Sequence, residues 1–160
     1  MTEHNETTTT LNTLIATLID SVEGYQKSAG DVDNQRYAEM FNARARERQQ
    51  AITTLQAAVA QAGGNPEDDG SVMGSLHRAF QSLREAVSTR DDAAIIAEIE
   101  RGEDYLKEKF EAAQRHADLT PQAREAVNKA WESVRAGHDE MSALKHRTEG
   151  AGMDNRTYTN

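Results

Sequence analysis

GNPEDDGSVMGSLHRAFQSLREAVSTR, residues 64–90, is the stretch on which the fold of this chain turns. Its opening, Asn65-Pro66-Glu67-Asp68-Asp69-Gly70, has the composition of a loop, punctuated by Pro and Gly. From Ser71 onward Met73, Leu76, Phe80, Leu83 and Val87 recur at spacings close to one helical turn, which predicts a short amphipathic helix. Longer helical stretches lie on either side. Neighbouring bundle helices are usually joined by about two to eight residues. A link this long can run the whole length of a bundle, so that the helices it joins lie parallel. An up-down-up-down bundle with a docked fifth helix would use the same elements.

Upstream, Leu11, Leu14, Ile15, Leu18, Val22, Tyr25 and Ala29 define helix one, closed by Gly30, with Asp31 or Asp33 expected to cap the next helix. Helix two carries Tyr37, Met40, Phe41, Ile52, Leu55, Ala58 and Val59 and ends at Gly63-Gly64. Downstream, Asp91 or Asp92 is expected to cap helix three, with Ile95, Ile96, Ile99, Leu106 and Phe110; the pattern fades near His116. Thr120-Pro121 is a good N-cap and first-turn pair for helix four, which carries Val127, Ala130, Trp131, Val134, Met141 and Leu144. The tight joins make helices one and two one antiparallel hairpin, and helices three and four another. Short β-branched runs bounded by turns are absent, which argues against a sheet. The expected fold is all-α: a ferritin-like four-helix bundle with an additional amphipathic helix in a long crossover between helices two and three. Residues 1–8 read as a flexible lead, 9–147 as one domain with its crossover at 64–90, and 148–160 as a flexible tail.

Composition narrows the function classes. The 160 residues suit one domain. Asp and Glu outnumber Lys and Arg 27 to 18, for a net charge of -9. Such a surface repels phosphate backbones, and no basic block interrupts it, so no nucleic-acid partner is expected. With no cysteine, disulfides, thiolate metal sites and cysteine catalysis drop out. A reducing, cytoplasmic setting is expected from that, from the polar start Met1-Thr2-Glu3-His4, and from the lack of an apolar run of about 18 residues. No membrane contact is expected.

Five segments carry a resemblance: Val22-Glu23-Gly24-Tyr25, Arg46-Glu47-Arg48, Gly63-Gly64-Asn65-Pro66-Glu67-Asp68, Gly70-Ser71-Val72-Met73-Gly74-Ser75-Leu76-His77-Arg78 and Glu100-Arg101-Gly102-Glu103-Asp104. Together they resemble a bacterial family of ferritin-like four-helix-bundle proteins of unknown function, over about residues 10–147. That family is similar in fold to rubrerythrin and to stress-induced bundle proteins of enteric bacteria. The resemblance implies the fold and a stress-related setting, and no established chemistry.

Di-iron bundles place a Glu on each of two helices and Glu-x-x-His on each of the other two, all pointing inward. Here helix one presents an apolar inward stripe, with Asp20 and Glu23 projected over about 100° away from its centre. Helix two has Glu47-Arg48-Gln49-Gln50, where Gln50 replaces the imidazole and Arg44 and Arg48 lie on the inward stripe. Helix three turns Glu103 inward. Helix four turns His138 inward, with Arg135 where the matching Glu would stand. Arg44, Arg48, Glu103 and His138 all fall roughly 20–25 Å from their hairpin loops. A buried charge needs a partner, so these four are expected to form a buried polar cluster built on an Arg48–Glu103 contact. A metal site of Glu47, Glu103 and His138 is the alternative. His77, His116, His4 and His146 read as surface or tail residues, and Glu67-Asp68-Asp69-Gly70 lacks EF-hand spacing.

The expected function is that of a non-enzymatic bundle protein without a cofactor, acting through a homodimer or protein partner that meets the crossover helix. The alternative is an iron- or manganese-binding oxidoreductase or storage protein of the ferritin or rubrerythrin kind.

Overall fold

The computed structural model describes residues 2–68, 91–116 and 118–157, and the side chains of 6–68, 91–116 and 118–149. Four helices account for nearly all of them: α1 (Thr2–Asp31), α2 (Gln35–Gln61), α3 (Asp92–Gln114) and α4 (Pro121–Thr157). No strand occurs among the described residues. The amphipathic helix expected within 71–90, and His77 with it, lie outside those residues.

Several helix boundaries have a local cause. Asn34, rather than Asp31 or Asp33, caps α2, its side chain accepting from the Arg36 N–H. Gly30 does not close α1; the helix runs one residue past it. Just beyond the Ala62 C-cap of α2, Gly63 takes a φ of +84°, a conformation that side-chain-bearing residues avoid. Asp91 caps α3 by accepting from Ala94 N at 2.8 Å, and Thr120 Oγ1 accepts from Ala123 N at 3.2 Å ahead of Pro121. Helix also occupies the segments expected as lead and tail, since α1 begins at Thr2 and α4 continues to Thr157. At the N-terminal end Thr7 is fully buried, its hydroxyl donating to the Asp118 carbonyl at 3.2 Å.

Side-chain anchors give the helix directions. The Asp92 carboxylate accepts from the backbone N–H groups of Asp33 and Asn34, at 2.9 and 3.0 Å. The start of α3 therefore sits beside the start of α2. The Thr7–Asp118 bond places the start of α1 beside the α3–α4 turn, at the opposite end. It follows that α2 and α3 run parallel, while α1 with α2 and α3 with α4 form antiparallel hairpins. In cross-section α1 neighbours α2 and α3, and α4 neighbours the same two. The shared core is aliphatic and alanine-rich, with Leu11, Leu18, Phe41, Leu55, Val59, Ile96, Phe110, Val127, Val134 and Met141 all fully buried.

Candidate functional site

Polar side chains interrupt this core at mid-height. Arg48 is the central residue of α2 and Glu103 the central residue of α3. Both point inward, Arg48 fully buried and Glu103 2% exposed. Their contact is bidentate: Arg48 Nη1 donates to Glu103 Oε1 at 2.7 Å and Nη2 donates to Oε2 at 2.6 Å. The planar fork of a guanidinium matches the two carboxylate oxygens, a fit that a lysine would not reproduce.

α1 completes the arrangement, which the apolar reading of its stripe did not foresee. The Tyr25 hydroxyl donates to Glu103 Oε1 at 2.8 Å. The Arg48 guanidinium carbon lies 5.7 Å from the Tyr25 ring centroid, within cation–π range, and Nη1 also donates to Ser21 Oγ at 2.8 Å. Burial on α1 is wider than the projected stripe in other places too, for Thr17 and Asp20 are buried. A helix flanked by two neighbours presents a broader buried arc than a single contact line. Tyrosine fits an apolar pattern by its ring while its hydroxyl seeks a partner, so the sequence signal at Tyr25 is present but reads as packing.

The charges hold one another in place. Burial, the largest single influence, would lower the Arg48 pKa, but the charge and hydrogen bonds of Glu103, with smaller help from Tyr25 and Glu47, together outweigh it; the pKa is raised and the guanidinium stays charged. Burial, reinforced by the negative charge of Glu103, pushes the Tyr25 phenol well above its usual range. Removing one partner of such a pair strands the other charge in the core, at about 3–5 kcal/mol.

α4 approaches this pair through a glycine. A Cβ at Gly137 would run into Arg48 Nη2 and lie 3.1 Å from Glu103 Oε2 and 3.2 Å from Arg44 Cδ. Gly137 is therefore the position that lets α4 close over the ion pair. Sequence reasoning passed over it for its neighbour His138.

The other expected cluster members divide. Arg44 is buried along its stem beside Gly137. Its guanidinium reaches outward instead, to Glu47 at 2.9 Å and to Glu140 of α4 at 3.1 Å. His138 turns toward α3, its Nε2 2.7 Å from Asp104 Oδ1 and its Nδ1 3.4 Å from Asp139 Oδ1. The structure thus joins Arg48 to Glu103, sets Arg44 alongside, and directs His138 elsewhere.

Nor are Glu47, Glu103 and His138 brought together, since each has a different partner. The donor set of a di-iron centre does not fit here: Arg48 neutralises Glu103, while Gln50 and Arg135 are exposed. Among the described residues, Glu100, Asp104 and His138 do place one ligand atom each within 4.8 Å of one another. His116 stands at the end of α3, its Nδ1 3.4 Å from the Asp118 backbone nitrogen, and His146 is exposed on α4. No described helix is long and apolar enough to cross a membrane.

Residues 6–116 match the family described as Domain of unknown function (DUF2383). No curated protein matches the chain.

Proposed function

The chain belongs to the DUF2383 family, a domain of unknown function, and on that premise we propose that it is a non-enzymatic, ferritin-like bundle protein acting through protein contacts or self-association. The observation that carries this reading is the bidentate Arg48–Glu103 pair at mid-bundle. A cation bound at Glu103 would have to displace a buried guanidinium from that carboxylate. The parallel course of α2 and α3, set by the Asp92 and Thr7 bonds, supports the ferritin-like arrangement. Contact through the segment between α2 and α3, and a role under stress, are parts of the proposal that rest on the sequence pattern and the resemblance.

The iron or manganese oxidoreductase alternative requires Glu103 as a ligand, and Glu103 is engaged by Arg48 and Tyr25. Ferrous iron and peroxide given to the purified chain separate the two readings. Iron oxidation is expected at the rate of buffer alone. Oxidation above that rate, abolished by Glu103→Gln in a variant of unchanged helicity, would overturn the non-enzymatic reading. Sedimentation of the full chain over a range of concentrations then shows whether self-association occurs.

A further inference from the structure

We propose that Glu100 and Asp104 of α3 and His138 of α4 bind a divalent first-row transition-metal ion in the groove between the two helices. Glu100 and Asp104 are one helical turn apart and so share a face. The α3–α4 hairpin brings the imidazole against that face, and the three ligand atoms all lie within 4.8 Å of one another. Metal–oxygen and metal–nitrogen bonds of about 2.0–2.2 Å place neighbouring ligands roughly 3 Å apart. Binding therefore requires the three side chains to close in by up to about 2 Å. Glu100 and His138 are half-buried and Asp104 is exposed, so the site is anchored yet open to ion entry.

The imidazole supplies the stronger argument. His138 stands between two carboxylates, with Asp139 near Nδ1 and Asp104 near Nε2. A neutral imidazole carries a single N–H. With that hydrogen on Nδ1 toward Asp139, the Nε2 lone pair faces the Asp104 carboxylate. In that tautomer a metal cation between them would be held by the nitrogen lone pair and the carboxylate together. Asp139 would then orient the ring from behind, as outer carboxylates do for metal-bound histidines. Two α3 carboxylates would neutralise a dication, releasing Glu100 from Lys145, whose Nζ is 3.4 Å away. One nitrogen and two oxygen donors suit zinc or manganese, with remaining positions left to water.

This site uses neither Arg48 nor Glu103, so it stands or falls independently of the mid-bundle reading. The test is calorimetric titration of the untagged full chain with Zn²⁺, paired with Co²⁺ absorption to report nitrogen–oxygen coordination. One equivalent is expected to bind. His138→Ala and Asp104→Asn should each weaken binding by about tenfold or more, at unchanged helicity by circular dichroism, and Glu47→Gln should bind as the parent does. Absence of zinc uptake would overturn the proposal, as would uptake that survives His138→Ala or depends on Glu47.

Discussion

Gly137 is the residue at which substitution is most informative. Glycine inside a helix ordinarily costs about 1 kcal/mol relative to alanine, so Gly→Ala usually stabilises. At Gly137 the added methyl meets Arg48 Nη2, which cannot swing away without breaking its bidentate contact with Glu103. Gly137→Ala should therefore destabilise by about 1–3 kcal/mol, the usual range for overpacking. At Gly30 a Cβ meets nothing within 4 Å. Gly30→Ala should gain up to about 1 kcal/mol. Urea unfolding of the two variants against the parent, followed by circular dichroism, checks both signs. Two gains would mean that the ion pair is not pressed against α4. Residue patterns announced Arg48 and Glu103, because an ionised side chain on an apolar stripe needs an opposite charge. They could not announce Gly137, whose importance lies in another helix's side chain.

At the scale of elements, capping chemistry explains most boundaries, and Asp92 does more than cap. Asp91 occupies the N-cap of α3, which frees Asp92 to accept from two backbone N–H groups in the α1–α2 turn. One side chain thereby links the two hairpins and aligns α3 with α2. Asp92→Ala removes both hydrogen bonds and should cost about 1–3 kcal/mol. Hydrogen exchange should show faster exchange at Asp33 and Asn34, with the centre of α2 shifting only by the global loss. Protection at Asp33 and Asn34 equal to that of the parent would show that the link carries no weight. From sequence, Asp91 and Asp92 were interchangeable as caps. Which one caps and which one bridges depends on the position of a turn some 58 residues away in the chain.

For the molecule as a whole, the mid-bundle cluster ties stability to pH. The Tyr25 phenol has a raised pKa in the folded chain, because burial and the Glu103 charge both oppose the phenolate. Above about pH 10 the unfolded chain gives up this proton while the folded chain keeps it. Stability contributed by Tyr25 is thus complete below about pH 10 and declines as pH rises from there toward the folded pKa. Urea midpoints taken on either side of that pH should fall more steeply for the parent than for Tyr25→Phe. Equal slopes would place the hydroxyl outside the linkage. By itself the amino-acid sequence determined the helical class, the four long amphipathic segments, and the need for Arg48 and Glu103 to pair, since periodicity and charge burial act along one chain and hold in any arrangement of it. Only the tertiary structure decided that Tyr25 and Ser21 join that pair, that Gly137 makes room for it, and that His138 faces Asp104. Those are contacts between side chains on different helices, and the rotation of one helix against another is set by how whole faces pack.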